Sequence, residues 1–281
     1  MSAVVTEVGA SLRSFRSRGE PVIWEYGEKE LCSAGRGQVL APWPNRLEDG
    51  TYRYGSVGAQ AALDEPERRN AIHGLVRWMP FEVLEHTPAS ARLGVTLRPQ
   101  PAYPFEVRLE VAYALGAGGL EVSASARSEG EGGAPFGVGF HPYLCCGRDG
   151  VDGATLELAA RCRILLDGRG LPTGSGPAEG HGARKLTGVV LDDCYEVDCA
   201  PGARWQAKVS FDEGAVELWA DSQFAYAMCF TGDTLPDPAD RRRAIAVEPM
   251  TCPPNALRSG EGIIELEPGR EATARWGIRP L

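Results

Sequence analysis

The chain has 281 residues, and its 29 Lys and Arg residues against 38 Asp and Glu residues give a formal net charge of −9. An acidic chain without a long basic stretch is a poor match for nucleic acid or for an anionic membrane surface, because both attract proteins through cationic side chains. The 35 glycines and 21 prolines disfavour long helices and suit many short strands joined by turns.

The sequence also bounds the compartment. No apolar run approaches the ~18 residues that a membrane span needs, and the first residues lack the basic and then apolar order of a secretory signal. We therefore expect a cytoplasmic protein whose eight cysteines stay reduced. None of them forms a Cys-x-x-Cys pair, so the cysteines predict no zinc site.

The first half of the chain opens with a predicted hairpin over residues 1–26, which has glycines at positions 9 and 19. Residues 41–46, Ala-Pro-Trp-Pro-Asn-Arg, form either a surface turn or a rigid loop that presents Arg46 to a ligand. Residues 71–78 place His73 before a glycine and between apolar neighbours, where a histidine is either a satisfied core residue or a functional one.

Apolar and polar residues alternate over much of the remaining chain, and a period of two indicates strands with one buried face. The clearest runs are residues 107–113, 120–126, 209–211, 216–218 and 272–279. No amphipathic helix of 12 or more residues is visible, and no Ser/Pro-rich linker divides the chain. The sequence therefore predicts one all-β domain over residues 1–281, built as antiparallel sheets packed face to face. A glycine-rich stretch over residues 171–183 predicts a loop.

Two further segments interrupt the alternation with residues capable of chemistry. In residues 137–143, Pro142 ends a strand, which places His141 at a strand end where side chains reach a cleft. In residues 246–255, Glu248 is predicted to end an apolar strand, and a carboxylate there needs a partner or a function.

These segments together predict an acid–base site for a polar ligand. Their candidate residues are two histidines, one glutamate and one arginine, Arg46, on strand ends or rigid loops. No His-Glu-x-x-His or calcium-loop pattern accompanies them, and no Gly-x-Ser-x-Gly or Walker-type phosphate loop occurs.

In this order and spacing, the segments resemble the aldose 1-epimerase (galactose mutarotase) family. The resemblance runs from about residue 8 to the end of the chain, with a weaker fifth segment, Val-Leu-Asp-Asp-Cys-Tyr, at 190–195. The four main matching stretches are Pro-Trp-Pro-Asn-Arg at 42–46, Ile-His-Gly-Leu-Val-Arg-Trp at 72–78, Gly-Phe-His-Pro-Tyr at 139–143, and Val-Glu-Pro-Met-Thr-Cys-Pro-Pro at 247–254.

The resemblance implies a large antiparallel β-sandwich of the galactose mutarotase-like supersandwich type, with few short helices. It implies interconversion of the α and β anomers of a free monosaccharide without cofactor or metal, by a monomer or homodimer. His141 resembles the family's general acid and Glu248 its general base. His73 and Arg46 resemble residues that hydrogen-bond the sugar near the reacting end. Asp192, with Asp193 as the alternative, resembles the carboxylate that holds sugar hydroxyls.

The chemistry explains why such residues are needed. Opening a cyclic hemiacetal removes the proton from the C1 hydroxyl and gives one to the ring oxygen, and reclosure from the other carbonyl face reverses both transfers. A carboxylate can accept the first proton and an imidazolium can supply the second, each transfer contributing ~10²–10⁴ in rate. An arginine stays protonated and is better suited to binding oxygens.

Two alternative functions remain open from the sequence. A relative acting on hexose 6-phosphates would need a cationic pocket, and the only basic run is Arg241–Arg243, which nearby aspartates could equally balance. A non-catalytic sugar-binding module could use the same fold.

Among the aromatic residues, Trp43, Trp78 and Phe140 could each cover the apolar face of a sugar. The last two histidines, His86 and His181, are expected to be solvated.

Overall fold

The computed structural model of the protein describes residues 1–178 and 182–281. Strands make up most of the described chain. In chain order they are Ser2–Val5 (β1), Leu12–Ser17 (β2), Glu20–Pro21 (β3), Val39–Leu40 (β4), Arg46–Glu48 (β5), Thr51–Tyr54 (β6), Val57–Gln60 (β7), Asn70–Ile72 (β8), Glu82–Thr87 (β9), Ser90–Leu97 (β10), Val107–Gly116 (β11), Gly119–Ser128 (β12), Ala134–Phe136 (β13), Gly139–Phe140 (β14), Tyr143–Cys145 (β15), Thr155–Leu158 (β16), Ala160–Leu166 (β17), Pro172–Pro177 (β18), Ala183–Lys185 (β19), Asp192–Val197 (β20), Arg204–Phe211 (β21), Gly214–Asp221 (β22), Tyr226–Phe230 (β23), Ala244–Met250 (β24), Ile264–Leu266 (β25) and Glu271–Pro280 (β26).

Helical segments are few and short, as predicted. In the described residues they are one α-helical turn, Ala256–Ser259 (α1), and four 3₁₀ turns at Pro66–Arg68, Val76–Trp78, Gly150–Gly153 and Pro238–Asp240. Across residues 1–178 and 182–281, no helix has the length and apolar character that crossing a membrane requires.

Two large antiparallel sheets form the body of the fold. One has nine strands in the order β19-β16-β21-β22-β26-β12-β11-β10-β9. The other has eight strands, seven of them in the order β18-β17-β20-β23-β24-β14-β4, with β15 also pairing with β24. The predicted alternating runs all lie in strands of the nine-stranded sheet, and the all-β sandwich is confirmed.

The core lies between these sheets because alternate residues of each strand point inward. In the nine-stranded sheet, Val122 and Trp276 are buried partners on β12 and β26. In the eight-stranded sheet, Ile245 and Val247 of β24 join the same apolar cluster. The ring of Phe140 packs 5.0 Å from that of Trp276, so side chains of both sheets meet directly.

Strand β24 has a second buried face, and this face carries the site. Residues 244, 246, 248 and 250 alternate with the core residues and therefore point away from the nine-stranded sheet. Ala244 and Ala246 belong to a small cluster that includes Trp24 and Tyr143, and Met250 belongs to another with side chains of β17, β20 and β23.

Two local predictions were wrong. Strand β24 continues two residues past Glu248. Pro249 lacks an N–H group, but it lies opposite the gap between β14 and β15, so the strand can include it. The glycine-rich stretch is not a loop throughout, since Pro172–Pro177 pairs with β17 as an edge strand. Residues 179–181 of that stretch, including His181, lie outside the described residues, whereas His86 is exposed on β9 as expected.

Candidate functional site

The side chains of His141 and Glu248 meet in the structure. The Nε2 atom of His141 lies 3.3 Å from Oε1 of Glu248. His141 follows β14 directly, as the sequence predicted, and its backbone is held by hydrogen bonds with Gln38 O and the N–H group of Gly37. Glu248 is fixed by the central strand β24, where its register partner is Met228. An imidazole and a carboxylate therefore share one small volume.

Both members of this pair are buried, with His141 5% and Glu248 2% exposed. Within the described part of the chain, neither the second carboxylate oxygen of Glu248 nor Nδ1 of His141 has a hydrogen-bond partner. A buried polar atom without a partner costs about 1–3 kcal/mol. Such atoms are rare in native proteins, and a functional role is one of the accepted explanations for them.

Burial controls the protonation of the pair. It lowers the pKa of His141 to about 3, with the cationic side chain of Arg77 acting in the same direction. Burial raises the pKa of Glu248 well above its ordinary range, and the negative charge of Asp192 adds to this rise while Arg46 opposes it. At neutral pH these directions favour a neutral imidazole beside a protonated carboxyl group. The pair then holds one titratable proton and carries no net charge.

The imidazole of His141 is clamped between two neighbours. The ring of Tyr143 stacks against it, with the centroids 5.0 Å apart and the planes inclined by 24°. On Gly35, whose φ is +73°, an added Cβ atom would lie 2.8 Å from Cδ2 of His141. Only a glycine therefore allows the 33–37 segment to approach the ring this closely, and Tyr143 ties down the same segment through a 3.1 Å hydrogen bond to Ala34 O.

His73 lies beside His141, with the ring centroids 5.4 Å apart and the planes nearly perpendicular. Its Nδ1 atom accepts a 3.2 Å hydrogen bond from the backbone N–H group of Asn45, and the backbone N–H group of His73 donates to Asn45 O. Burial, the neighbouring His141 and Arg77 lower the pKa of His73 well below 6.5. A neutral ring that accepts at Nδ1 carries its proton at Nε2, so His73 is set as a hydrogen-bond donor.

Arg46 is buried and held in one orientation. Its Nε and Nη2 atoms donate hydrogen bonds of 2.9–3.2 Å to the two carboxylate oxygens of Glu65. Gly170 covers the guanidinium so closely that a Cβ atom there would lie 2.5 Å from Nη1. None of the described residues accepts a hydrogen bond from Nη1.

The structure separates the two candidate aspartates. Asp192 is paired in register with Phe230, which in turn is paired with Ala246, so Asp192 lies on the face that carries Glu248. The Cα atoms of Asp192 and Glu248 are two strands and two residues apart, about 12 Å. Asp193 points to the opposite face, where Arg163 lies 3.7 Å away.

A cavity of about 450 Å³ opens beside Asp192 and wraps around the end of β20. The guanidinium of Arg68 lines this cavity and lies 4.0 Å from the Asp192 carboxylate. Its other walls include Ile164, Gly170 and Asp193. Of the five predicted site residues, only Asp192 lines this cavity, whereas His141 and Glu248 are buried.

None of the three aromatic residues considered from the sequence lies where it would cover the apolar face of a sugar bound at the His141–Glu248 pair. Trp43 and Phe140 are buried in the core between the sheets, and Trp78 is half exposed on a 3₁₀ turn. Phe230 instead lies on the site face between Asp192 and Ala246 and is partly exposed. Its ring centroid lies 6.5 Å from that of Tyr143.

The basic run lies elsewhere and is largely compensated. The guanidinium of Arg242 contacts Asp152 at 2.9 Å and Asp233 at 2.8 Å, and Arg243 contacts Asp240 at 3.6 Å. A separate cavity of about 1090 Å³ is lined by all three arginines of the run and by none of the five predicted site residues.

Glu65, Gly35 and the role of Asn45 were not predicted from the sequence. Glu65 lies in a polar stretch without periodicity, 19 residues from Arg46, and nothing in the sequence links the two. Asn45 was inside a recognised motif, and a positive φ of 56° explains why an asparagine stands there.

The chain matches known proteins along nearly its whole length. The model of the family described as aldose 1-epimerase matches residues 1–279. The uncharacterized protein YihR of Escherichia coli (strain K12) is 31% identical over 274 residues, which cover 95% of this chain and 86% of YihR.

Solved structures share the fold at lower identity. An aldose epimerase homologue from C. elegans superposes with a TM-score of 0.85 at 16% identity and covers 99% of this chain and 95% of its own. A galactose 1-epimerase from Lactobacillus acidophilus NCFM superposes with a TM-score of 0.80 at 18% identity, covering 99% and 91%.

Proposed function

Because the chain belongs to the aldose 1-epimerase family, we propose that it interconverts the α and β anomers of free hexoses such as galactose or glucose. The reaction opens and recloses the sugar ring by acid–base chemistry. His141 acts as the general acid and Glu248 as the general base, while Arg46, His73 and Asp192 bind the sugar.

The observation that carries this proposal is the 3.3 Å contact between His141 Nε2 and Glu248 Oε1. Both oxygens of a hemiacetal are bonded to the same carbon atom, so an acid and a base that serve them must be neighbours. A sugar whose C1 lies against this pair places its hydroxyl near the carboxylate and its ring oxygen near the imidazole.

Each step then balances in protons. Glu248 accepts the proton of the C1 hydroxyl, the bond between C1 and the ring oxygen breaks, and the ring oxygen takes the proton of the His141 imidazolium. After rotation about C1–C2, the C5 hydroxyl attacks the other face of the carbonyl, returns its proton to His141, and the C1 oxygen takes back the proton of Glu248. No atom other than hydrogen moves between the sugar and the protein.

Burial favours the protonation state of the pair that follows ring opening over the charged state that precedes it. It disfavours the charged form of both groups, which is why the pKa of His141 falls and that of Glu248 rises. An imidazolium beside a carboxylate becomes a neutral imidazole beside a carboxylic acid when the ring opens. The low-polarity environment thus stabilises the pair in the state that accompanies the open-chain aldehyde.

The polar groups around the pair suit a sugar's hydroxyls. His73 offers a donor at Nε2 and Arg46 offers one at Nη1, while Asp192 offers acceptor oxygens across the site. The separation of about 12 Å between the Cα atoms of Asp192 and Glu248 leaves room for one hexose between their side chains.

The test is polarimetry of freshly dissolved α-D-galactose, α-D-glucose and α-D-glucose 6-phosphate, each with and without the protein. We expect faster mutarotation of a free hexose. Acceleration confined to the 6-phosphate would replace the free hexose by a phosphorylated one as the substrate. Sugar binding measured by calorimetry without any acceleration would replace the epimerase by a sugar-binding protein.

A further inference from the structure

Two adjacent carboxylates, Asp64 and Glu65, contact the chain at two places: the side chain of Arg46 and the backbone next to His73. Glu65 holds the guanidinium of Arg46, and Asp64 holds the backbone next to His73. We propose that Asp64 and Glu65 are positioning residues that together orient Arg46 and His73 toward the sugar, an inference that rests on the binding roles proposed above.

The contact between Glu65 and Arg46 is bidentate and largely shielded from water. Three donor–acceptor distances lie between 2.9 and 3.2 Å, and the side chains are 12% and 8% exposed. Burial alone would raise the pKa of Glu65, but its hydrogen bonds with Arg46 and Asn70 lower it overall. Glu65 is therefore ionised, and its planar fork fixes the plane of the guanidinium.

Glu65 is itself fixed by the fully buried Asn70. The Nδ2 group of Asn70 donates a 3.0 Å hydrogen bond to the Glu65 carboxylate and a 2.9 Å bond to Arg169 O. The backbones of Glu65 and Asn70 also exchange two hydrogen bonds of 3.1 Å. Since Asn70 begins β8, which pairs with β5, the carboxylate is anchored to the same two-stranded sheet that carries Arg46.

Asp64 acts on the peptide that precedes His73. Its Oδ1 atom accepts a 2.7 Å hydrogen bond from the N–H group of Ile72, and its Oδ2 atom contacts Nη2 of Arg77 at 2.7 Å. The same Nη2 donates at 3.0 Å to Ile72 O. Asp64 and Arg77 thus hold both polar groups of Ile72.

His73 needs such support because its backbone φ is +64°, a conformation that a side chain other than glycine adopts at a cost. With Ile72 held on one side and Asn45 on the other, the imidazole keeps its place beside His141. The two binding residues therefore depend on one short segment of chain.

The experiment is a double-mutant cycle on mutarotation kinetics of galactose, using Glu65→Gln, Arg46→Met and the combination. Glutamine keeps the shape of the side chain but loses its charge and its two-oxygen acceptor, so we expect KM to rise about tenfold with kcat within about twofold. In the Arg46→Met background the same change should leave KM unaltered, because Glu65 acts through Arg46.

The matched control is Glu217→Gln. The Glu217 side chain is 11% exposed and contacts Arg279 at 3.3 Å in the nine-stranded sheet, so it is a largely buried carboxylate paired with an arginine away from the site. We expect unchanged KM and kcat. A second arm compares Asp64→Ala, which loses both contacts, with Asp64→Asn, which can still accept from the N–H group of Ile72. We expect KM to rise in Asp64→Ala and to return close to the wild-type value in Asp64→Asn.

An equal rise in KM from Glu65→Gln in both backgrounds would overturn the proposal, as would a folded Glu65→Gln protein with unchanged KM. If the wild-type protein binds galactose but does not convert it, the proposed function fails, and the same cycle is read on the dissociation constant from calorimetry. If Arg46→Met unfolds, the Asp64 arm decides alone, and no difference between its two variants and the wild type refutes positioning.

Discussion

The imidazole of His141 and the carboxylate of Glu248 come within 3.3 Å although 107 residues separate them along the chain. Hydrogen bonds between the two segments that carry them produce this contact. The N–H group of Val138 donates to Thr251 Oγ1 at 3.0 Å, and the N–H group of Thr251 donates to Val138 O at 2.9 Å. The segments that carry the imidazole and the carboxylate are thus hydrogen-bonded to each other within a few residues of each side chain.

The pair's protonation predicts an unusual pH profile. The His141–Glu248 pair is active while it holds one proton. On acidification it gains a second only near the lowered pKa of His141, about 3, and on alkalinisation it loses its last only above the raised pKa of Glu248. We expect kcat/KM to stay level through neutral pH and to fall only at the acidic and alkaline limits, where the pair gains or loses a proton. Circular dichroism at each pH serves as the control for folding. A single-proton limb near pH ~6.5, the ordinary pKa of histidine, would contradict this.

The close approach of Gly35 to His141 predicts a sensitive position. In Gly35→Ala the added methyl group would lie 2.8 Å from the imidazole, so the ring must shift. We expect kcat to fall roughly 10- to 100-fold, because small displacements of a reacting group are costly.

The matched control is Gly19→Ala. Gly19 has a similarly positive φ of +87°, but no atom lies within 4 Å of the position of its Cβ atom. This variant carries the same kind of backbone strain and should keep the wild-type kcat. Equal loss of activity in both variants would attribute the effect to backbone strain and not to His141.

The two faces of β20 predict opposite outcomes for neighbouring aspartates. Asp192→Asn removes a charged acceptor on the face that carries Glu248, so we expect KM to rise about 10- to 100-fold. Asp193→Asn changes a carboxylate on the other face, where burial raises its pKa, and KM should stay within about twofold. Steady-state polarimetry on galactose measures both. The reverse ranking would assign the sugar hydroxyls to Asp193.

Much of this fold follows from the sequence because alternation reports directly which face of a strand is buried. Strands β11 and β12 show the pattern over their whole length, and the structure pairs them from Val107 and Ser128 to the turn at Gly116 and Gly119. The edge strand β18 was missed because its residues, Pro-Thr-Gly-Ser-Gly-Pro, show no alternation of apolar and polar residues and include only one β-branched residue, and its pairing with β17 makes it a strand.

Some residues of the candidate site could be predicted from the sequence and others could not. His141, Glu248 and Asp192 stand in recognisable segments, and the structure brings them to one face. Glu65 could not be predicted, because its link to Arg46 arises from the pairing of β5 with β8 and from Asn70, which are tertiary facts. Positioning contacts of this kind depend on distances in space, which a single sequence does not contain.

The central claim is that His141 and Glu248 work as one acid–base unit, and exchange NMR between the α and β anomeric protons of galactose at equilibrium tests it most directly. We expect the wild-type protein to speed the exchange, His141→Asn and Glu248→Gln to lower the rate roughly 10²- to 10⁴-fold each, and the double variant to lose little more than either. Glu217→Gln should exchange at the wild-type rate. Wild-type exchange no faster than in buffer, or full exchange in a folded Glu248→Gln protein, would contradict the account.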